Sequence, residues 1–475
     1  MGSTGWLIAN LMAIIGFVCA IILVPRIIME RRQVGATLAW LLIICLVPYV
    51  GVPLFFLIGG HKVKRLQARK KNVRTARTGL AEPVKERLNR RAWGLSSLMV
   101  GAGAFPPRRG NSMSVYADGM EAYDEIMKMA DEAERRIDVC TYILGKDAVG
   151  RAIIDKLAER AADGVEVRLL VDGVGSFGTK GRFARPLREA GGKVGTFLPV
   201  IPVRRKASAH LRNHRKIVVV DGRSAFVGGM NLSSQFMGPR SDQPRWKDVS
   251  MRLDGPVARD LHEVFQADWE FTTGEVEAED ALDDFPEPDV QPEGSVVQIA
   301  PDGPDTTTKP IYSGVMAAVA QAEERIWVAT PFYVPDESLA RLLALAARMG
   351  RDVRLIVPEK SNMRLADLAG RSYLDGLMEA GAQVFLYRKG LLHAKLLVVD
   401  DVLAGVGSFN VDMRSFYLNF EIGAFLYSPE SIAQIADTIF DIQKESELVK
   451  LEEFTSRGRT VRFAEDLCRL FSPLL

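Results

Sequence analysis

The chain has 475 residues, 48% of them apolar and 25% charged, with a formal net charge of +2. That balance excludes a disordered or low-complexity protein and allows more than one domain. It also argues against a surface built for nucleic acid, because eight bases between Lys62 and Arg77, with no acid among them, exceed the whole net charge and leave the remainder acidic.

Residues 1–25 carry no charged side chain, and residues 6–24 suffice to cross a hydrocarbon core as a helix. No basic region precedes them and a second uncharged run, residues 33–60, follows at once, which argues against a cleaved signal peptide. Pro48, Gly51 and Pro53 can kink the second run or turn it back. Residues 1–60 are therefore expected to form a two-helix membrane hairpin, transmembrane or partly re-entrant. The basic cluster opens a juxtamembrane segment, residues 61–110. Lys and Arg beside a span stay cytoplasmic, so the body is expected on that side of a bacterial inner membrane, although Arg26, Arg31 and Arg32 pull the other way. The cluster would also attract anionic headgroups. Residues 87–100 mix basic and apolar side chains around Trp93, as an interfacial helix or a linker would. Cys19, Cys45, Cys140 and Cys468 have neither C-x-x-C nor zinc-ligand spacing, so free thiols and no metal are expected.

The body repeats itself. Ala133-Glu134-Arg135-Arg136-Ile137 returns as Ala322-Glu323-Glu324-Arg325-Ile326, and Val167-Arg168-Leu169-Leu170-Val171 as Val353-Arg354-Leu355-Ile356-Val357. Leu187-x-Glu189-Ala190-Gly191-x-x-Val194 returns as Leu377-x-Glu379-Ala380-Gly381-x-x-Val384. Helical patterns alternate with short β-branched runs in both copies, which predicts two similar α/β units, residues 111–274 and 295–475. Between them residues 275–294 hold nine acids, three prolines and no base, and read as a solvated linker.

Each copy holds one spaced triplet, His214-x-Lys216-x4-Asp221 and His393-x-Lys395-x4-Asp400, followed from the Lys by an apolar run. On a strand the His and Lys share a face, while the Asp, seven positions beyond the His, points the other way and reads as an anchor. Small-residue turns with an amide come next, Gly228-Gly229-Met230-Asn231 and Gly407-Ser408-Phe409-Asn410, where Asn231, Ser408 and Asn410 can donate to a phosphate. Asp248 and Glu421 follow in apolar settings and can fix the tautomer of a histidine. One such triplet is weak, but two inside a duplication are specific. His61, His210 and His262 lie outside the pattern and read as structural or surface residues.

These paired triplets resemble the phospholipase D superfamily from about residue 111 to the C-terminus. Other stretches are similar to the bacterial cardiolipin synthases within it: Arg212-Asn213-His214-Arg215-Lys216, Thr330-Pro331-Phe332-Tyr333-Val334-Pro335-Asp336, Asp412-Met413-Arg414-Ser415-Phe416 with Leu418-Asn419-Phe420-Glu421, and the closing Arg469-Leu470-Phe471-Ser472-Pro473-Leu474-Leu475. Gly229 departs from the pattern by lacking the hydroxyl of Ser408, which puts the equivalence of the halves in doubt. The resemblance implies an α/β fold of two duplicated α/β/α sandwich units related by a pseudo-two-fold, preceded by the hairpin. It implies His214, Lys216, Asp221, His393, Lys395 and Asp400 as the catalytic motif residues, with His214 as nucleophile. It further implies phosphatidyl transfer between two phosphatidylglycerol molecules through a phosphohistidine, releasing glycerol, without cofactor and without a nucleic-acid partner. Hydrolysis, or transfer to another alcohol, would use the same residues. An inactive lipid-binding scaffold would have no need of both triplets.

Overall fold

The computed structural model describes residues 18, 21–29, 34–58, 88–199, 211–239, 244–276 and 287–474. The chain divides into two compact units, Met1–Arg69 and Lys70–Leu475. Most of residues 6–24, the whole basic cluster, His61, His210 and the middle of the acidic linker lie outside the described residues.

In the first unit residues 21–29 are helical, and the second apolar run forms two helices, Val34–Leu46 and Pro48–Ile58. Proline cannot donate to the preceding turn, and the helix breaks there. Gly51 is packed so closely that an added Cβ would sit 2.6 Å from the Ile43 carbonyl oxygen, so only glycine fits the bend. Leu23, Ile27, Ile44 and Phe55 make a small core, with Trp40 edge-on to Phe55 at 5.3 Å. Ile22, Met29, Leu42, Leu46 and Val50 face outward. Among the described residues no helix is long and apolar enough to cross a membrane.

The second unit is built on one sheet. Its first half contributes β1 (Arg108–Tyr116), β2 (Arg136–Thr141), β3 (Glu166–Asp172), β4 (Lys193–Phe197), β5 (Ile217–Val220), β6 (Ser224–Gly228) and β7 (Ser250–Asp254). Its second half contributes β8 (Ser295–Asp302), β9 (Arg325–Ala329), β11 (Asp352–Pro358), β12 (Gln383–Tyr387), β13 (Leu396–Val399), β14 (Leu403–Gly407), β16 (Glu421–Leu426) and β17 (Ser446–Leu448); β10 (Tyr333–Val334) and β15 (Val411–Asp412) pair separately. The strand order is β17-β12-β11-β9-β13-β14-β16-β8-β1-β7-β6-β5-β2-β3-β4. Read outward from the β8–β1 seam, the first seven strands of each half correspond one to one, which is the pseudo-two-fold, and β17 is an addition to the second half. Expected as two sheets, the repeats share a single one because β1 and β8 pair antiparallel across the axis, Arg108 with Val297 and Asn111 with Ser295. A bulge separates those pairs at Gly110, whose φ of +81° and contact with Val290 leave no room for a side chain.

In each half the sheet is covered on both faces. Helices Gly119–Glu132 and Ala148–Ala162 bury Ile126, Met129, Ile153 and Leu157 against one face of the first half. Helix Val257–Thr273 covers the other, where His262 Nδ1 lies 2.9 Å from Asp138 and Arg168 grips the same carboxylate at 2.6 and 2.8 Å. His262 is thus part of a buried structural network. In the second half helices Pro310–Ala320, Glu337–Arg348 and Arg364–Glu379 lie opposite helix Pro429–Lys444.

Residues 87–100 differ from expectation. They hold the helix Arg90–Gly101, capped by the Asn89 side chain on Ala92 N–H, which buries Ala92, Leu95 and Met99 in the core of the second half. Its apolar face is spent on helix Pro310–Ala320, where Gly314 leaves space for Met99, so the segment is neither interfacial nor a free linker. The end of the acidic linker is also less free than its composition suggests, since Gln291 N–H donates to the Gly110 carbonyl at 2.9 Å.

Candidate active site

Each histidine enters its strand along a segment of the opposite half. His214 N–H donates to the Phe420 carbonyl at 2.9 Å, and Phe420 N–H to the Arg212 carbonyl at 2.8 Å. Symmetrically, His393 N–H donates to the Lys247 carbonyl at 2.7 Å, and Lys247 N–H to the Leu391 carbonyl at 2.8 Å. Phe420 precedes Glu421, and Lys247 precedes Asp248, so this exchange brings each acid to the other half's imidazole. His214 Nδ1 lies 3.0 Å from Glu421 Oε2, and His393 Nδ1 lies 2.6 Å from Asp248 Oδ2.

The tautomer of His214 follows from its neighbours. Nδ1 faces the Glu421 carboxylate and the Ser408 carbonyl, both at 3.0 Å and both acceptors, so it carries the proton and leaves Nε2 with a lone pair. Lys216 donates to the His214 carbonyl at 2.5 Å. Lys395 Nζ donates to the His393 carbonyl and sits 2.8 and 3.2 Å from the two ring nitrogens. Edge-on rings brace the imidazoles, Tyr142 at 5.0 Å from His214 and Phe236 at 5.0 Å from His393.

Both imidazoles line one cavity of about 160 Å³, which also meets Tyr142, Arg212, Asn231, Trp246, Asn410, Asp412, Arg414 and Asn419. Since a water occupies about 30 Å³ of liquid, this space takes a phosphodiester and a small polyol but not acyl chains. Met363 stands on its rim, 43% exposed. Burial pushes His214 down to about 4, against the pull of Glu421, and depresses His393 as well, with Lys395 and Lys216 adding to the effect. Burial likewise lowers Lys216 to about 7 and Lys395 to about 8. The two acids diverge. Burial opposes ionisation of Glu421, but His214, Lys216 and the Ser408 hydroxyl hold it below the carboxylate range. Asp248 is carried up to about 7 by burial, only partly offset by Lys395 and Lys216. At 2.6 Å, His393 and Asp248 are close enough to share one proton.

The remaining predicted residues take different places. Asp221 and Asp400 lie in turns at φ of +50° and +49°, a region Asp tolerates better than most residues. Asp221 accepts from the backbone of Glu134, Arg135 and Arg136 at 2.8, 2.9 and 2.7 Å. Asp400 accepts from Glu323, Glu324 and Arg325 at 2.9, 2.9 and 2.8 Å, and from Arg91. Neither lines the cavity. They tie β5 and β13 to the turns entering β2 and β9, so their inclusion among the catalytic motif residues is corrected to an anchoring position. Asn231 accepts from Ile143 N–H at 3.0 Å through its carbonyl, and Asn410 donates to Asp412 at 2.9 Å; both line the cavity. Ser408 does not. It is fully buried, donates to Glu421 and accepts from Ile422 N–H at 3.0 Å, so its hydroxyl is spent on the acid and not on a ligand. Where Ser408 stands in one half, Gly229 stands in the other, and a Cβ there would meet Asp248 Oδ1 at 2.1 Å. The shorter acid occupies the space of the missing hydroxyl.

Sequence reasoning assigned no role to Arg212, Tyr142, Phe236, Trp246, Asp412, Arg414 and Asn419, all of which line the cavity. Arg212 and Arg414 fall in quoted family stretches but not in the repeated pattern, which explains the omission. Arg215 was likewise unassigned. Fully buried, it joins the halves by donating to Asp268 at 2.6 Å, the Glu421 carbonyl at 2.9 Å and the Asp302 carbonyl at 3.0 Å.

A duplicated sheet with one histidine from each half on a shared cavity, each with its lysine packed behind it on the backbone carbonyl, is the architecture of a two-repeat phospholipase D-like protein. The family described as "Cardiolipin synthase, PLD-like domain" matches residues 126–269 and 315–442, and "Phospholipase_D-nuclease N-terminal" matches residues 13–60. Cardiolipin synthase 1 of Bacillus anthracis is 33% identical over 94% of this chain and 91% of its own. Cardiolipin synthase of Geobacillus kaustophilus is 34% identical over 96% and 92%. Phosphatidylserine synthase of Haemophilus influenzae superposes with a TM-score of 0.62 at 16% identity, covering 81% of this chain and all of that one, a likeness of fold. The chain belongs to the cardiolipin synthase family of phospholipase D-like proteins, and is a phosphatidyltransferase.

Proposed function

We propose that the protein transfers the phosphatidyl group of one phosphatidylglycerol to the free glycerol hydroxyl of another, forming cardiolipin and releasing glycerol. The observation that carries the reading is two imidazoles on one headgroup-sized cavity, each held at Nδ1 by an acid from the opposite half. Neutral His214 attacks phosphorus through Nε2, the P–N bond forms, and the P–O bond to glycerol breaks. His393 protonates the departing alkoxide. In the second step His393 removes the proton of the incoming hydroxyl, whose oxygen displaces His214. Burial disfavours a charged His393 in the free protein, and an anionic phosphodiester beside Lys216 and Lys395 reverses that preference, so the acid is armed by substrate. Lys216, Lys395, Asn231 and Asn410 stabilise the equatorial oxygens, the part a metal plays in other phosphoryl transfers.

The substrates are lipids, and the first unit, apolar on its outer side, serves as a membrane anchor with the catalytic unit on the cytoplasmic side. Two features of the catalytic unit suit an enzyme working at a bilayer surface. Met363 is exposed at the mouth with Leu365 exposed two residues on, and helix Arg459–Arg469, packed on helix Arg364–Glu379, exposes Val461, Phe463 and Leu467. Purified protein given phosphatidylglycerol alone should yield cardiolipin and glycerol in equal amounts, read by lipid chromatography and a glycerol assay. Phosphatidic acid as the main product would overturn the transferase reading in favour of hydrolysis.

A further inference from the structure

The catalytic groups obey the pseudo-two-fold, and the cavity wall does not. Asn231 and Asn410 are related by an offset of 179 positions, as are the two histidines. The same offset places Leu391 opposite Arg212 and Gln235 opposite Arg414. Around His214 the wall therefore presents two guanidinium groups, and around His393 it presents Phe236 and Trp246. Arg212 is only 2% exposed. Its Nη1 donates to Asp172 and to the Leu198 carbonyl at 3.3 and 3.2 Å, while Nε and Nη2 are buried without a hydrogen-bond partner. Two unspent donor nitrogens on a buried cation are expensive unless something anionic meets them. Asp172, the acid bonded to Arg212 among the described residues, also accepts from Val174, Gly175 and Asn213 N–H at 2.8, 3.0 and 3.0 Å and has little capacity left.

Cardiolipin formation brings two phosphodiesters into one site, the one attacked and the one the acceptor lipid already carries. The paired lysines serve the first. We propose that Arg212, with Arg414 beside it, is the subsite for the second, the intact phosphodiester anion of the acceptor lipid. The proposal deepens the transferase reading and rests on it. Arg212 and His214 are two residues apart on an extended segment paired with Phe420, so their side chains share a face with Cα atoms about 6.6 Å apart. That spacing is of the order of the single glycerol unit linking the two phosphorus atoms of the product. Guanidinium is suited to the task because its planar fork meets two phosphate oxygens at once.

The test separates acceptors with and without a phosphate. Exchange of labelled free glycerol into phosphatidylglycerol needs the first half-reaction and its reversal: the glycerol oxygen forms the new P–O bond, the P–N bond to histidine breaks, and the proton returns to the other histidine. No second phosphodiester takes part. In Arg212→Gln, cardiolipin formation should fall about tenfold or more beyond any fall in glycerol exchange, since a charge-assisted hydrogen bond is worth that much. Arg212→Lys should recover part of the difference, and Arg414→Gln should show a smaller change of the same sign. Residual exchange reports that each variant is folded. Equal loss of both reactions in Arg212→Gln, or in Arg414→Gln should the first variant not fold, would put the guanidinium on the transferred phosphate and overturn the proposal. Wild-type protein that exchanges glycerol but makes no cardiolipin would refute the transferase reading instead.

Discussion

The two halves of the sheet hold equivalent histidines by unequal means. Glu421 takes a hydroxyl from Ser408 and an amide from Asn419 at 3.1 Å, and stays ionised beside His214. Asp248 has no hydroxyl donor among the described residues, takes the N–H of its neighbour Val249 at 2.8 Å, and is raised to about 7 beside His393. A duplicated motif therefore fixes where two imidazoles stand without fixing what each can do. Their neighbours, which the repeat does not preserve, keep His214 neutral and set His393 close enough to its acid to share a proton.

Removing either imidazole tests whether the halves act as one machine. His214→Ala and His393→Ala should each lower cardiolipin output by about a thousandfold or more, because each half-reaction uses both groups. Near-normal output from either variant would end the two-histidine scheme. The acids sharpen the comparison. Glu421→Gln should cost about a hundredfold in kcat/KM, and Asp248→Asn less, because only Glu421 is held fully ionised. An equal loss would mean the halves are equivalent after all. Gly229→Ala should cost about tenfold by displacing the Asp248 carboxylate, whereas Ser408→Ala, which opens space and closes none, should cost only a few-fold.

A pH series gives the smallest effect and the most specific one. With its carboxyl raised from 3.8 to about 7, folded protein holds a proton on Asp248 that the unfolded chain releases. Stability is therefore lost as pH rises through that window and the loss is complete above about 7. Asp248→Asn removes the penalty, so its melting temperature relative to wild type should be higher at pH 8 than at pH 4.5. A pH-independent difference would show that Asp248 ionises normally.

Much of this was legible in the residues because it was written twice. The repeats, the strands that follow His214-x-Lys216 and His393-x-Lys395, the Asn231 and Asn410 turns and the pairing of an acid with each histidine all follow from patterns present in both copies, although the triplets, expected on strands, have their His and Lys just before β5 and β13. What recurs could be found, but not which half each acid would serve, since exchange across the axis depends on Phe420 and Lys247 backbone pairing that no local pattern encodes. Ser408 read as a phosphate donor because a hydroxyl after a glycine looks available; only the fold shows it turned toward Glu421. Residues 87–100 read as an interfacial helix or a linker because the leading arginines and Trp93 hide the fact that Ala92, Leu95 and Met99 share the face that packs. Arg212 was invisible as a site residue for the opposite reason, having no counterpart in the second copy.

The reciprocal loan of acids bears on how such a chain could arise. A polypeptide with one repeat would carry an imidazole lacking its carboxylate and a carboxylate lacking its imidazole. It would gain both at once by meeting its twin about the axis now marked by β1 and β8. Fusion of two such genes would then have preserved a working pair, and freed the surroundings of each imidazole to diverge, as Ser408 and Gly229 have.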